Sequence, residues 1–195
     1  MKKYVLVLLA VSIWTLPAFA TTTWQVAPGR SSVNFKVQHL IFTFVEGKFQ
    51  KFDGKVIAEG EDLTNARMEA KIETNSIYTG IEDRDKHLEG ADFFNIDKYP
   101  EIVFTSKSIV KTNDANAYKI TGDLTMHGVT RTIELAGKCT DKQVLSNGKT
   151  RMDLTATGTL NRFDYGLRWN ELMETGKAIV GQNVDLSVKM VLLKN

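Results

Sequence analysis

The densest group of side chains capable of acid–base chemistry in this sequence is the run 82–87, EDRDKH. Carboxylates next to a histidine could serve general acid–base catalysis or bind a metal ion. The run is also typical of a short helix, whose first-turn acids meet the helix dipole and whose Arg84 pairs with a nearby carboxylate such as Asp92. Because Gly90 provides an end for such a helix, we favour this structural interpretation.

The other residues that could support an enzyme are scattered along the chain. His39, His87 and His127 lie on different segments, without the H-x-x-x-H or H-x-H spacing of a zinc site. No G-x-S-x-G nucleophile motif occurs in the sequence. A metal- or histidine-dependent enzyme that uses His39, His87 and Tyr165 on an apolar substrate is the alternative hypothesis. We predict no catalytic residue and no metal site, and a protein that is not an enzyme.

The N-terminus has the pattern of an export signal. Two lysines precede the apolar run 5–13, and Ala18-Phe19-Ala20 provides a small-x-small cleavage site. We therefore predict that residues 1–20 are a signal peptide cleaved near Ala20. The remaining residues, 21–195, have a length that suits a single domain.

The composition of the exported chain excludes some classes of partner. The whole sequence has 25 basic and 23 acidic residues, and removal of the two signal lysines leaves 23 of each sign. A neutral protein lacks the basic surface that nucleic acids or an electrostatic membrane anchor require, so we predict no nucleic-acid partner. The only cysteine, Cys139, cannot form a disulfide within the chain. Its place in an alternating run predicts a small buried hydrophobic residue.

Most of the chain alternates apolar and polar residues, as half-buried β-strands do. The clearest alternating runs are 33–37, 68–72, 118–126, 152–160 and 184–192. A tight hairpin is predicted at His127-Gly128, and turns are predicted at 113–116 and 146–149. The parity of the apolar positions changes between Phe49 and Phe52, which predicts a bulge where the sheet curves. About eight strands with short links predict an all-β fold, whose sheet hides its edges by closing into a barrel.

Two stretches depart from the strand pattern. In residues 76–106, the predicted helix is followed by Phe93-Phe94, which we interpret as an apolar plug that closes one end of the barrel. In residues 161–181, Trp169, Leu172 and Met173 are spaced like a helical turn or a folded loop. A mobile lip of a pocket and simple surface packing both fit these three residues.

The strand faces predicted to point inward carry no charged residue. An ordinary packed core and a ligand cavity fit this pattern equally well, and a structural or partner-binding module with a solid core is a third hypothesis. Interleaved small residues such as Gly122 and Ala156, together with recurrent methionines, favour a cavity. The predicted ligand-binding residues are Phe35, Phe49, Met68, Ile72, Phe94, Phe104, Leu124, Met126, Leu154 and Trp169.

Four motifs, QHL-x5-EGKFQKFDG, SIYT-x4-RDKHLEGADFFNIDKYPEIVFTS, GDLTMHGVTR and NRFDYG, occur in this order along the chain. In sequence and spacing they resemble the YceI family of exported, lipocalin-like proteins that bind polyisoprenoid lipids. The resemblance implies an all-β, extended eight-strand antiparallel lipocalin-like barrel with a short helix and a long apolar internal pocket. It also implies a periplasmic carrier of an isoprenoid lipid, of the quinone or prenyl phosphate type. From the same resemblance we expect transient membrane contact, a monomer or homodimer, and no cofactor besides the lipid.

The resemblance also assigns individual positions. The family's helix and plug correspond to Arg84, Asp85, His87, Leu88, Asp92, Phe93 and Phe94. Its turn corresponds to Gly128, Val129, Thr130 and Arg131. Its R-x-D-F-G-like motif corresponds to Arg162, Asp164, Tyr165 and Gly166. The chain departs from the family pattern in two places. Asn95 stands where the family often has an acid, and residues 180–184 lack the acid commonly found after the glycine.

Overall fold

The computed structural model describes residues 21–40, 42–59, 62–169 and 179–194. Its strands are β1 (Thr21–Val26), β2 (Ser32–His39), β3 (Thr43–Phe49), β4 (Phe52–Glu59), β5 (Arg67–Glu73), β6 (Ile77–Tyr78), β7 (Glu101–Lys111), β8 (Ala117–Met126), β9 (Val129–Cys139), β10 (Gln143–Val144), β11 (Thr150–Asn161) and β12 (Val180–Lys194). The α-helix α1 (Glu82–Glu89) lies between β6 and β7, and short 3-10 turns occupy Pro28–Arg30, Thr74–Ser76 and Arg162–Tyr165. The helix ends at Gly90, as the sequence predicts.

The sheet closes into an antiparallel barrel in which strands that follow one another in sequence are neighbours. β1 and β2 lie end to end against β12, β3 and β4 continue one another beside them, and β6 extends β5. The ring then runs through β7, β8, β9 and β11, and β11 pairs with β12 to close it. With these pairs of short strands counted as single bent strands, the barrel has eight members. This confirms the predicted all-β, eight-strand antiparallel barrel.

The bend between β3 and β4 falls where the apolar parity changes in the sequence. The backbone N–H of Gln50 donates to Ser76 O at 2.9 Å, and that of Lys51 donates to Ser76 Oγ at 3.0 Å. Ser76 therefore accepts hydrogen bonds from the two backbone N–H groups that lack a partner strand where the pairing is interrupted. Two further register shifts, at Ser106/Ser108 in β7 and Val180/Val184 in β12, have no such signal in the sequence.

The turn between β8 and β9 has the predicted tight geometry. His127 and Gly128 both have positive φ, 51° and 73°. This conformation matches the twist of a two-residue hairpin, and glycine adopts it without strain. The His127 ring packs against the Tyr99 ring with centroids 4.5 Å apart, which supports the rarer left-handed conformation at a non-glycine residue.

Two groups of buried side chains fill the two ends of the barrel. At one end, the far end, the core includes Trp24, Leu63, Ile109, Tyr118 and Cys139. Burial raises the pKa of the Cys139 thiol to about 12, so this cysteine is protonated and behaves as the predicted buried hydrophobic residue. At the opposite end, the helix end, the core lies beneath α1, the β8–β9 turn and the 3-10 turn that follows β11.

Candidate functional site

A cavity of about 150 Å³ lies inside the barrel, between the cores of the two ends. Its wall includes the predicted residues Phe49, Met68, Ile72, Phe104, Leu124, Met126 and Leu154. The wall is apolar apart from Lys55 and Glu69, whose charged ends pair with each other at 3.1 Å. The interior therefore offers an apolar ligand dispersion contacts and no ionic partner.

The volume of this cavity limits what it holds without rearrangement. A dry apolar cavity of about 150 Å³ accepts a molecule the size of benzene. One isoprene unit has a similar size, so a longer isoprenoid tail requires side chains to move. Met68, Met126 and Met190 lie on the wall, and methionine adapts its shape at low cost.

The inward glycines do not create this space, contrary to the sequence interpretation, whereas Ala70 and Ala156 do border it. A Cβ added to Gly122 would lie 2.5 Å from Cζ of Phe104, and one added to Gly47 would lie 2.3 Å from Cζ of Phe35. Likewise, a Cβ on Gly158 would lie 2.6 Å from Cδ2 of Leu135. The glycines therefore make room for neighbouring rings and branched side chains. These side chains occupy the volume that the alternating sequence pattern led us to expect as a cavity.

Two predicted ligand-binding aromatics lie in the core of the helix end rather than on the cavity wall. The Phe35 and Phe49 rings have centroids 5.8 Å apart, and the Phe94 ring meets Phe49 edge-on at 6.0 Å. Phe49 itself borders the cavity. Phe35 and Phe94 thus contact the wall residue Phe49 without bordering the cavity themselves.

Trp169, the last predicted ligand-binding residue, lies in a separate aromatic group and does not border the cavity. Its ring contacts the rings of His87 and Phe93, and each of the three pairs has centroids 5.0 Å apart. His87 Nε2 is also 3.6 Å from Oδ2 of Asp92. This group ties the chain that follows β11 to α1 and the plug.

The start of α1 is held by a different contact from the one the sequence suggests. Arg84 donates from Nε to Thr79 Oγ1 at 2.7 Å and from Nη2 to Thr79 O at 2.9 Å. Asp85 accepts a hydrogen bond from the Thr79 backbone N–H at 2.8 Å. The predicted pair of Arg84 with Asp92 is therefore wrong, because the Arg84 guanidinium is bound to Thr79, which directly follows β6.

Arg162 is a buried cation at the helix end, with 4% of its surface exposed. Its guanidinium donates to Leu167 O at 2.6 Å, Trp169 O at 2.9 Å, Gly181 O at 2.9 Å and Val180 O at 3.2 Å. Desolvation lowers its pKa from the ordinary arginine value, and the residue remains charged at neutral pH. Its donors are committed to main-chain carbonyls, so its role is to join the chain after β11 to the start of β12.

The turn that follows β11 also brings Tyr165 to the helix end. Its ring is 1% exposed and belongs to the same core as Leu124, Met126 and Leu160, all of which border the cavity. The backbone carbonyl of Tyr165 lies 3.0 Å from His127 Nδ1, which anchors the turn to the β8–β9 hairpin. Burial and the neighbouring Asp164 carboxylate raise the pKa of the Tyr165 phenol to about 12.

The histidines do not converge. His39 ends β2, His87 lies on α1, and His127 lies in the β8–β9 turn. Within residues 21–40, 42–59, 62–169 and 179–194, no three His, Cys, Asp or Glu side chains are placed to hold a metal ion. Over the same ranges, no helix has both the length and the apolar character needed to cross a bilayer.

A larger concavity, of about 780 Å³, lies on the outer surface of β2, β3, β11 and β12. It is open to solvent, and its lining includes Lys36, Glu46, Lys48, Asp185 and Ser187. Lys36 and Glu46 pair with each other at 3.1 Å. A hydrated polar groove of this kind is a poor match for an apolar ligand, so the internal cavity is the candidate site.

Comparison with known proteins agrees with this architecture. A family model described as YceI-like domain matches residues 24–192, nearly the whole described chain. The chain belongs to the YceI-like family. A UPF0312 protein of Staphylococcus aureus is 34% identical over 156 residues, which cover 79% of this chain and 87% of the relative.

Solved structures share the YceI-like fold. BcnA of Burkholderia cenocepacia superimposes with a TM-score of 0.74 at 21% identity, and the match covers 85% of this chain and 98% of BcnA. A polyisoprenoid binding domain from Saccharophagus degradans, implicated in plant cell wall breakdown, matches with a TM-score of 0.64 at 16% identity. That match covers 90% of this chain and 100% of the domain.

In this YceI-like chain, alternation identifies most of the cavity wall but misses part of it. Val26, Ile133, Leu135 and Leu160 border the cavity and were not predicted as ligand-binding residues. The period-two pattern of β9 was the available signal for Ile133 and Leu135. Of the predicted lip, Leu172 and Met173 lie outside the described residues.

The first departure from the YceI family pattern has a local explanation. Asn95 has a φ of 48°, and asparagine tolerates this left-handed conformation better than most residues. Its carbonyl accepts hydrogen bonds from the backbone N–H groups of Lys98, at 3.0 Å, and Tyr99, at 2.8 Å. The residue at this position therefore shapes the plug between α1 and β7.

Proposed function

We propose that this YceI-like protein is a non-enzymatic carrier that binds an isoprenoid lipid, of the quinone or prenyl phosphate type, in the periplasm. The observation that carries the proposal is the apolar cavity of about 150 Å³ inside the barrel. The shared fold with a domain described as polyisoprenoid binding supports the same ligand class. The export pattern of residues 1–20 supports the periplasmic location.

The energetics suit a carrier that exchanges its lipid. Each buried CH2 is worth roughly 0.8 kcal/mol relative to water, so a five-carbon isoprene unit contributes up to about 4 kcal/mol before ordering costs. Relative to a bilayer this gain nearly vanishes, because the tail already lies in hydrocarbon. Transfer between the barrel and a membrane is therefore close to balanced, and tail length, branching and head-group contacts decide which lipid is retained.

Native mass spectrometry of the protein purified from a cell envelope, without refolding, tests for a resident lipid. We expect a mass shift that fragmentation assigns to an isoprenoid. A homogeneous ligand-free mass under gentle ionisation would contradict the proposal. Metal analysis of the same sample addresses the enzyme alternative, since a stoichiometric transition metal is not expected of a carrier.

Substitution of the cavity wall tests the site itself. Leu124 is 7% exposed and borders the cavity, whereas its neighbour Thr125 is more exposed and hydrogen-bonds Thr130 Oγ1 at 2.8 Å. We expect Leu124→Asp to weaken binding of a fluorescent isoprenoid at least about tenfold, because a tail in the cavity would strip the water from the carboxylate. Thr125→Asp is the matched control and should bind normally. Circular dichroism establishes that both variants are folded, and equal affinity of the two would remove this wall from the site.

A further inference from the structure

Two neighbouring concavities lie on the outer surface of the barrel. The first, of about 780 Å³, and the second, of about 660 Å³, share Lys36, Thr159 and Asp185 in their linings. The second extends along β12 to Val180 and Gly181, at the helix end. We call the two together the outer groove. It crosses four strands that are neighbours in the sheet, in the order β3, β2, β12 and β11.

The floor of the outer groove consists of two rows of outward side chains that run across these strands. The strand registers align Lys48, Asn34, Ser187 and Thr157 in one row, and Glu46, Lys36, Asp185 and Thr159 in the next. Ser187 and Thr157 are exposed, and within the part of the chain that the structure describes neither hydroxyl has a hydrogen-bond partner. Neighbouring strands lie about 4.8 Å apart, so each row presents a further polar side chain at about that spacing.

The charges of the outer groove cancel. Its lining contains two cations, Lys36 and Lys48, and two acids, Glu46 and Asp185. Lys36 and Glu46 pair with each other at 3.1 Å. A polyanion therefore gains no net attraction here, and an apolar ligand would have to strip water from all four charged groups. The ligand class that suits this surface is neutral and rich in hydrogen-bonding groups.

Aromatic rings lie at both margins of the outer groove. On the β3 side, Tyr78 is 45% exposed and Phe44 is 56% exposed, and on the other side the half-buried Phe163 follows β11. The exposed amides of Gln182 and Asn183 line the same concavity as Phe163. A sugar ring has apolar C–H faces and a rim of hydroxyl groups, so it can pack against an aromatic ring and hydrogen-bond to amides and hydroxyls at the same time.

The main chain of the groove floor is closed to an extended peptide. Along residues 185–189, β12 pairs with β2 on one side and with β11 on the other. The N–H and C=O groups of these strands are therefore used within the sheet, whereas a peptide that adds to a sheet needs a free strand edge. The floor presents only side chains to a ligand, which favours a sugar chain over a peptide.

We propose that the outer groove binds a neutral oligosaccharide, whose sugar units lie along the rows from β3 to β11. One unit of a linear glycan is about as long as the strand spacing, so successive units meet successive polar side chains. The aromatic rings at the margins pack against the C–H faces of the sugars. This site is separate from the proposed lipid site, because the groove and the cavity lie on opposite faces of the same strands.

Isothermal titration calorimetry of the full protein with linear cello-, manno- and chito-oligosaccharides tests this site. We expect at least one of the three to bind with a Kd of about 1 mM or tighter. Thr157→Arg places a long charged side chain across the floor, and Tyr78→Ala removes an aromatic ring from the margin. Each variant should weaken binding of that oligosaccharide at least about tenfold. Binding of a fluorescent isoprenoid should not change in Thr157→Arg, because Thr157 is not part of the cavity wall.

Thr155→Arg is the matched control. Thr155 is exposed on the same outward face of β11 as Thr157 but borders neither concavity. This variant should bind the oligosaccharide as the wild type does, and circular dichroism establishes that all three variants are folded. Failure of all three oligosaccharides to bind the wild type, equal loss of binding in Thr155→Arg and Thr157→Arg, or tighter binding of an acidic oligogalacturonate would each overturn the inference. The proposed lipid carrier function stands whichever of these results is obtained.

Discussion

At the scale of single residues, the cavity is set by which side chains cover the inward glycines. The Phe104 ring lies over Gly122 and also borders the cavity, so its rotamer controls part of the internal volume. Phe104 pairs with Leu124 on β8 and with Ala70 on β5, in the middle of the barrel.

Filling the cavity from its wall should separate binding from stability. Ala156 is 5% exposed and borders the cavity, so Ala156→Leu places a larger side chain in the empty space. We expect isoprenoid affinity to fall at least about tenfold while the free energy of unfolding changes by less than about 1.5 kcal/mol, as cavity-filling changes do. Titration with a fluorescent isoprenoid and urea unfolding measure the two quantities.

Ala136→Leu is the control for this change. Ala136 is exposed on β9 and pairs with Thr157, the residue that follows Ala156 on β11. The same substitution on the outer face should leave both affinity and stability near their wild-type values. Equal loss of affinity in the two variants would show that the cavity is not where the tail binds.

At the scale of elements, local sequence rules give the elements but not the contacts that join them. The end of α1 at Gly90 and the hairpin at His127-Gly128 depend on residues that are neighbours in sequence, and both were predicted. Alternation likewise places Phe49 and Leu124 on the inward face. It does not determine rotamers, so the rings that cover the glycines could not be predicted.

Contacts between segments far apart in sequence had no signal in the chain. The carbonyls that Arg162 binds belong to the loop after β11 and to the start of β12, and only the closed barrel brings them together. The aromatic group of His87, Phe93 and Trp169 is a second case, since it joins α1 and the plug to the chain after β11. Such contacts position the helix end, and they follow from closure of the sheet rather than from any local motif.

Arg162 should therefore be a large contributor to stability. Arg162→Met retains much of the side-chain volume but leaves the bound carbonyls of Leu167 and Gly181 without a donor. We expect the free energy of unfolding to fall by about 3 kcal/mol or more, because several buried acceptors become unsatisfied together. Urea unfolding measures this loss. Arg168→Met, at an exposed position nearby, should change stability by less than about 0.5 kcal/mol.

At the scale of the whole molecule, the helix end carries an apolar projection. The β2–β3 hairpin has exposed apolar side chains near its tip, which include Leu40, at 41%, Phe42, at 89%, and Phe44, at 56%. The N–H of Leu40 donates to Ile179 O at 2.6 Å, which places the tip beside the start of β12, at the helix end. Three exposed apolar side chains provide less surface than a stable protein interface needs, but they can enter the boundary of a bilayer.

If the carrier collects its lipid from a membrane, this hairpin tip should make the transient contact. We expect Phe42→Ser to slow transfer of a fluorescent isoprenoid from vesicles about tenfold, since burial of a phenylalanine is worth about 1.5 to 3 kcal/mol. Binding of a short-tailed isoprenoid already in solution should not change, because Phe42 is not part of the cavity wall.

Val144→Ser, at an 80% exposed valine on β10 at the far end, is the matched control and should transfer lipid normally. Equal transfer rates for the two variants would contradict a membrane contact at the tip, and a change from dimer to monomer on Phe42→Ser would instead assign the tip to contact between copies of the chain.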